Sequence, residues 1–181
     1  MPIVSPLELI ASAKTGKVVS FPTDTVPALA VLPPYGEAIF ALKGRNPDKP
    51  LILMGATPEE LWSYVEGSAE EAQIWQEIAH RFWPGGLTLV LPTPNSTLGI
   101  RVPNHGFARE ILAQTGPMLT TSANLSGEKP LTDSLTIAGT FPQVSVCLEG
   151  EWDNYSGLPS TVAQWTKPGW KILRQGPIFL S

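Results

Sequence analysis

Cysteine is all but absent from this chain: Cys147 is the only one in 181 residues, so no internal disulfide can form. Flanked by Val146 and Leu148, it reads as a small buried side chain in a strand rather than a nucleophile. Histidine is nearly as scarce. His80 and His105, with one cysteine and no HExxH or CxxC spacing, cannot supply a zinc site of the usual composition. Charge is thin as well, at 15% of residues with a formal net of -4, the wrong sign for gripping nucleic acid by general phosphate neutralisation. Any contact with tRNA or double-stranded RNA is therefore expected to be weak and confined to a local basic patch. No apolar run is long enough to span a bilayer, and the opening residues MPIVSPLELIASAKTGK lack the charged-then-apolar order of a secretory signal. A cytoplasmic protein without membrane association is the expectation.

What the chain does have is apolar content, 43% of its residues, enough for one domain with a substantial core over residues 1–181. Ser5-Pro6-Leu7-Glu8 combines an N-cap, a proline at the first helical position and a Glu at the third, which predicts a helix to about Thr15. Lys17 to Phe21 reads as a core strand that delivers Thr23-Asp24-Thr25 into a loop. Further helices are predicted over Glu37 to Leu42, from Thr57-Pro58-Glu59-Glu60 through Tyr64, over Ser68 to Phe82, over Phe107 to Gln114, and briefly after Pro130. Strands are predicted at 51–53, 87–91, 99–102, 118–121, around Val146, at 161–165 and at 170–174. This interleaving without repeats or a linker predicts an α/β fold, a single-domain twisted mixed sheet with flanking helices.

Four polar segments lie at the ends of apolar strands, where side chains can reach a crevice. Thr23-Asp24-Thr25 is the first. In the second, Lys43-Gly44-Arg45-Asn46-Pro47-Asp48-Lys49-Pro50, three cations in seven residues form a compact cationic loop that suits a triphosphate or is simply a solvated turn. In the third, Arg101 sits between Ile100 and Val102 and should project opposite them. A guanidinium there can grip a carboxylate with two parallel hydrogen bonds or close a structural salt bridge. The fourth, Thr120 to Gly127, is a strand running into a turn rich in hydroxyls and amides, able to offer donors to phosphate or adenine. GxxxxGK[ST], GxGxxG and GxSxG are all missing, which argues against a P-loop NTPase, a simple dinucleotide enzyme and an α/β-hydrolase.

Taken in order, the segments PTDTVPALA, KGRNPDKPL, FWPGGLT, LGIRVPNH and TSANLSG, followed by PSTV and ILRQG, resemble the YrdC/TsaC family from roughly Val18 to Arg174. The resemblance implies a concave cavity on a twisted α/β sheet that binds ATP beside L-threonine. It implies a nucleotidyltransferase joining threonine, bicarbonate and AMP with loss of pyrophosphate, the product feeding the tRNA threonylcarbamoyl-transfer machinery. Thr25, Arg101, Ser122 and Ser160 would line the threonine site. Arg45, Lys49, Thr97, Asn124, Thr132 and Arg174 would contact ATP, with Lys43 and Arg45 in catalytic positions beside the phosphates. Mg²⁺ is expected to arrive with ATP and to find few protein ligands, Asp24 being the nearest acidic candidate. Because the chain stops soon after ILRQG, the short form of the family without a further C-terminal domain is expected.

The chain also departs from the family pattern. Pro27-Ala28-Leu29-Ala30 stands for YGLG, Asn46 for the proline of KxRP, Gly86 for the proline of WPGP, and Met54 for a histidine that many members place against threonine. Two other functions are compatible with such a fold. One is a non-catalytic RNA-binding module or a paralogue with another acceptor, and the other is a carbamoyl-transfer domain of the hydrogenase-maturation type. Retention of Thr25, Arg101, Ser122 and Ser160 favours the synthase, since an RNA groove has no need of a pocket for a small zwitterion.

Overall fold

The computed structural model describes residues 3–44, 46–167 and 169–180. Helix α1 (Pro6–Lys14) starts where the sequence predicts it. Ser5 accepts from the Glu8 amide, and Glu8 reaches back to the Ser5 amide at 2.8 Å, which satisfies donors that a helix start otherwise leaves unpaired. The same reciprocal cap, Ser68 with Glu71, opens the longest helix, α4 (Ala69–Phe82). The remaining helices are α2 (Glu37–Lys43), α3 (Glu59–Trp62), α5 (Gly106–Thr115) and α6 (Ser134–Thr140). Helix α3 corrects an expectation: it ends at Trp62 rather than Tyr64, and no side chain caps its start. Glu60 instead accepts from the Ala56 amide at 2.8 Å, outside the helix.

Among the described residues ten strands form one mixed sheet: β1 (Ile3–Val4), β2 (Val19–Phe21), β3 (Ala28–Val31), β4 (Ile52–Met54), β5 (Leu87–Pro92), β6 (Thr97–Arg101), β7 (Met118–Ser122), β8 (Ser145–Cys147), β9 (Thr161–Thr166) and β10 (Gly169–Arg174). Their spatial order is β1-β8-β2-β3-β7-β4-β6-β5-β9-β10. The pairs β1/β8, β8/β2, β4/β6 and β5/β9 run parallel and the others antiparallel. Strands β1 and β3 and a short 3-10 turn at Pro33–Tyr35 were not anticipated from the sequence. No helix among the described residues is long and apolar enough to cross a membrane.

The sheet is covered unevenly, and this creates the cavity. Around β2, β3 and β8 both faces are packed. Leu9, Ile10 and Ala13 of α1 and Ile111 and Leu112 of α5 join Val19, Phe21 and Ala30 in one cluster. Ile39 of α2 and Ile137 of α6 join Leu29, Val31 and Val146 in another, on alternate strand positions. Around β4, β5, β6 and β9, by contrast, one face packs on α3 and α4 through Leu53, Leu87, Leu89, Ile100 and Ala163 against Leu61, Trp75 and Ala79. The opposite face of those strands is open.

Candidate functional site

Strand alternation decides what lines the open face. With Leu53, Leu87, Leu89, Ile100 and Ala163 turned into the core, their neighbours Ile52 and Met54, Thr88 and Val90, Gly99 and Arg101, and Val162 and Gln164 line a cleft of about 450 Å³. The Thr25–Ala28 segment, residues 49–51, residues 120–122, Pro159, Ser160, Leu173 and Arg174 complete its wall. Arg101 therefore points away from Ile100 and Val102, as its position between two apolar residues implies.

Arg101 is 2% exposed, and a charge buried to that degree needs partners. It has three. Nε donates to the Gly85 carbonyl at 2.9 Å, Nη1 to Thr25 Oγ1 at 2.8 Å and Nη2 to Asp24 Oδ1 at 2.6 Å. Of the two alternatives read from the sequence, the structural salt bridge is present, and the side chain also faces the cleft. Burial presses its pKa downward, the Asp24 carboxylate opposes that shift, and the positive field of Arg174 adds to it. Thr25 is fixed from below: its amide donates to Thr23 Oγ1 at 3.2 Å, and the Thr23 hydroxyl donates to the Val26 carbonyl at 2.7 Å. The Ser156 and Gly157 amides hold the Asp24 and Thr25 carbonyls at 2.9 and 3.0 Å.

At the β9–β10 side, Ser160 is 2% exposed. Its hydroxyl lies 2.8 Å from Thr88 Oγ1, and Arg174 donates to it from Nη2 at 3.2 Å and to its carbonyl from Nε at 3.0 Å. Desolvation lowers the pKa of Arg174. Lys49 and Thr97 are exposed and line the cleft.

The other expected residues are placed differently. Lys43, the last residue of α2, is 3% exposed and does not line the cleft. Its Nζ donates to the Ser122 carbonyl at 2.5 Å and reaches Thr121 Oγ1 and Asn124 Oδ1 at 3.3 Å. The chain leaves α2 there because Gly44 adopts a left-handed φ of 57°. Asn124 gives its amide to the carbonyls of Leu125 and Glu128 at 2.7 and 2.9 Å, and its Oδ1 accepts from the Ser122 hydroxyl. Lys43 and Asn124 thus brace the turn behind β7, while Ser122 lines the cleft in front of it. Thr132 is exposed and outside the cleft, and Arg45 lies outside the described residues. Sequence reasoning missed Thr88, although a threonine between Leu87 and Leu89 carries the same signal that exposed Arg101.

Residues 11–176 match the model of the Sua5/YciO/YrdC family, which bears the description "Telomere recombination". The chain belongs to this family. Among Sua5/YciO/YrdC relatives, the threonylcarbamoyl-AMP synthase of Pyrococcus abyssi (strain GE5 / Orsay) is 34% identical over 181 residues, 92% of this chain and 52% of that protein. That of Yersinia enterocolitica serotype O:8 / biotype 1B is 34% identical over 138 residues, 68% of this chain and 72% of its own. The crystal structure of P. abyssi Sua5 complexed with L-threonine superposes with a TM-score of 0.81 at 32% identity, over 96% of this chain and 55% of that one. This Sua5/YciO/YrdC chain spans about half the length of the P. abyssi relative.

Proposed function

We propose that the protein is an L-threonylcarbamoyladenylate synthase, a nucleotidyltransferase that forms threonylcarbamoyl-AMP and pyrophosphate from L-threonine, bicarbonate and ATP for modification of tRNA. The observation that carries this reading is the pairing of two partly engaged guanidiniums, Arg101 and Arg174, in one cleft of about 450 Å³, a size typical of small-molecule sites. A guanidinium has five N–H groups, and three of those of Arg101 are taken. The remaining two suit the carboxylate of an amino acid. Arg174, with Lys49 and Thr97 in the same cleft, suits the phosphates of the nucleotide. The naming of the relatives as threonylcarbamoyl-AMP synthases and the L-threonine in the P. abyssi Sua5 structure support the same assignment.

The chemistry asks for positioning and charge neutralisation more than for a nucleophilic side chain. Threonine's neutral amine attacks carbon dioxide, formed from bicarbonate by loss of hydroxide, to give a carbamate and release a proton. A carbamate oxygen then attacks the α-phosphorus of ATP, and the bond to the bridging oxygen breaks as pyrophosphate leaves. Arg101 and Thr25 would fix the amino acid, and Arg174 would hold the polyphosphate. Lys43 would act from behind by keeping the β7 turn in place. No group of three or more His, Cys, Asp or Glu side chains among the described residues is arranged to hold a metal ion, and Asp24 is engaged by Arg101. Magnesium is assigned to the substrate, as MgATP, a cation that commonly keeps several waters and takes few protein ligands. Pyrophosphate release from ATP tests the proposal. It should require both L-threonine and bicarbonate, and equal AMP production without threonine refutes it.

A further inference from the structure

Thr88 has no role in what has been derived so far, yet it is fully buried and lines the cleft. Its orientation is set by its surroundings. The threonine methyl lies over Gly99, 3.3 Å from where a Cβ would stand on that glycine, so the hydroxyl is turned toward Ser160 at 2.8 Å. Ser160 Oγ also accepts from Arg174 Nη2. Two hydroxyls carry two hydrogens, and among the described residues the bond between them uses one. If Thr88 donates to Ser160, the spare hydrogen is on Ser160; if Ser160 donates, it is on Thr88. Both side chains line the cleft. In either arrangement one hydroxyl hydrogen of this cleft-lining pair has no acceptor among the described residues, and a buried donor without an acceptor is costly. An incoming oxygen relieves that cost.

The charges nearby say what kind of oxygen this is. Arg101 and Arg174 both line the cleft, and the charge of Arg174 reaches Arg101, so the cleft favours an anion. Threonine's permanent anion is its carboxylate. We propose that Thr88 is a positioning residue for amino-acid binding: it orients the Ser160 hydroxyl, with Arg174 on the other side, so that the Thr88–Ser160 pair donates one hydrogen bond to the substrate carboxylate. This rests on the synthase reading and deepens it. Because Arg174 holds both the carbonyl and the hydroxyl of Ser160, the amino-acid end and the nucleotide end of the cleft share one hydrogen-bonded unit.

The test is calorimetric titration with L-threonine, in the presence and absence of ATP, of the wild-type protein, Thr88→Val and Thr88→Ser. Steady-state kinetics for each substrate and melting curves accompany it. Valine keeps the shape and removes the hydroxyl, whereas serine keeps the hydroxyl and removes the methyl over Gly99. Thr88→Val removes the neutral bond that orients the Ser160 hydroxyl and should weaken threonine binding by about three- to tenfold. The KM for ATP should change by less than about threefold, and Thr88→Ser should recover most of the threonine affinity. Equal damage in the valine and serine variants, an equal rise in both KM values, or a fall in kcat at unchanged threonine affinity overturns the assignment. Wild-type protein that binds no threonine overturns the synthase reading itself, so the two failures are told apart by the first titration.

Discussion

Replacing Arg101 by lysine keeps the charge and removes the fork, and the geometry around it sets the size of the effect. Gly85 O, Thr25 Oγ1 and Asp24 Oδ1 are reached by three different nitrogens at 2.9, 2.8 and 2.6 Å. One ammonium on a flexible stem cannot serve all three directions, and the charged acceptor Asp24 keeps it. The two neutral bonds are lost at about 1 kcal/mol each, roughly 2 kcal/mol together. For a chain of this length that lowers the melting temperature by about 4 to 8 °C. The two spare N–H groups disappear as well, so the KM for threonine should rise about ten- to a hundredfold while that for ATP moves by less than about threefold. Kinetics with each substrate varied in turn, beside a melting curve, measure both effects. Unchanged threonine kinetics in a folded Arg101→Lys protein, or both KM values rising together with the loss of stability, refutes the dual role given to this side chain.

Lys43→Met should destabilise the protein by roughly 1–2 kcal/mol, because the Ser122 carbonyl loses its charged donor and keeps only the Asn124 amide; urea unfolding reads this, and the use of both substrates should fall together as the β7 turn loosens. Glu71 accepts from the Ser68 amide and from Trp165 Nε1, both at 2.9 Å, and the Ser68 bond above all holds its pKa below 4.5. A lowered carboxylate pKa stabilises the fold fully above its unfolded value and progressively less as pH falls through the folded one. Glu71→Gln should therefore show a shallower loss of stability than wild type between about pH 5 and pH 3, and parallel melting-temperature profiles would contradict that.

Where the sequence spoke through local rules, it placed elements well. The Ser5/Glu8 cap fixed one helix start, the apolar spacing over 68–82 marked another helix, and the alternation around Ile100, Arg101 and Val102 placed the guanidinium on the open face. Strand β3 escaped because Ala28-Leu29-Ala30-Val31 is buried on both faces. Such a segment shows no alternation, only a short apolar run that length and composition cannot distinguish from other structure. The Thr57-Pro58-Glu59-Glu60 pattern misled because Glu60 had a better acceptor role, on the amide of Ala56. The site was only half legible for a related reason. The partners that bury Lys43 are 79 and 81 residues further along the chain, and no local pattern distinguishes a lysine aimed at them from one aimed at a phosphate. Thr88 was legible by the rule that exposed Arg101, but a threonine in a strand is ordinary enough to pass unnoticed.

The strand order has a consequence for how activity is acquired during folding. The cleft takes side chains from β3, β4, β5, β6, β7, β9 and β10, and β5 meets β9 in parallel only after some seventy residues of chain have been laid elsewhere in the sheet, as the pairing of Leu87 with Thr161 shows. Loop closure over such distances is slow and gains little until the last partner arrives. A nascent chain that has not yet added β9 can hold most of the hydrophobic core while lacking Ser160 and Arg174, and its β5 would then be an unpaired edge carrying Leu87, Leu89 and Leu91. Ligand capture should accordingly appear late and all at once in refolding, and chains cut short of Thr161 should be both inactive and prone to sticking to one another through that edge.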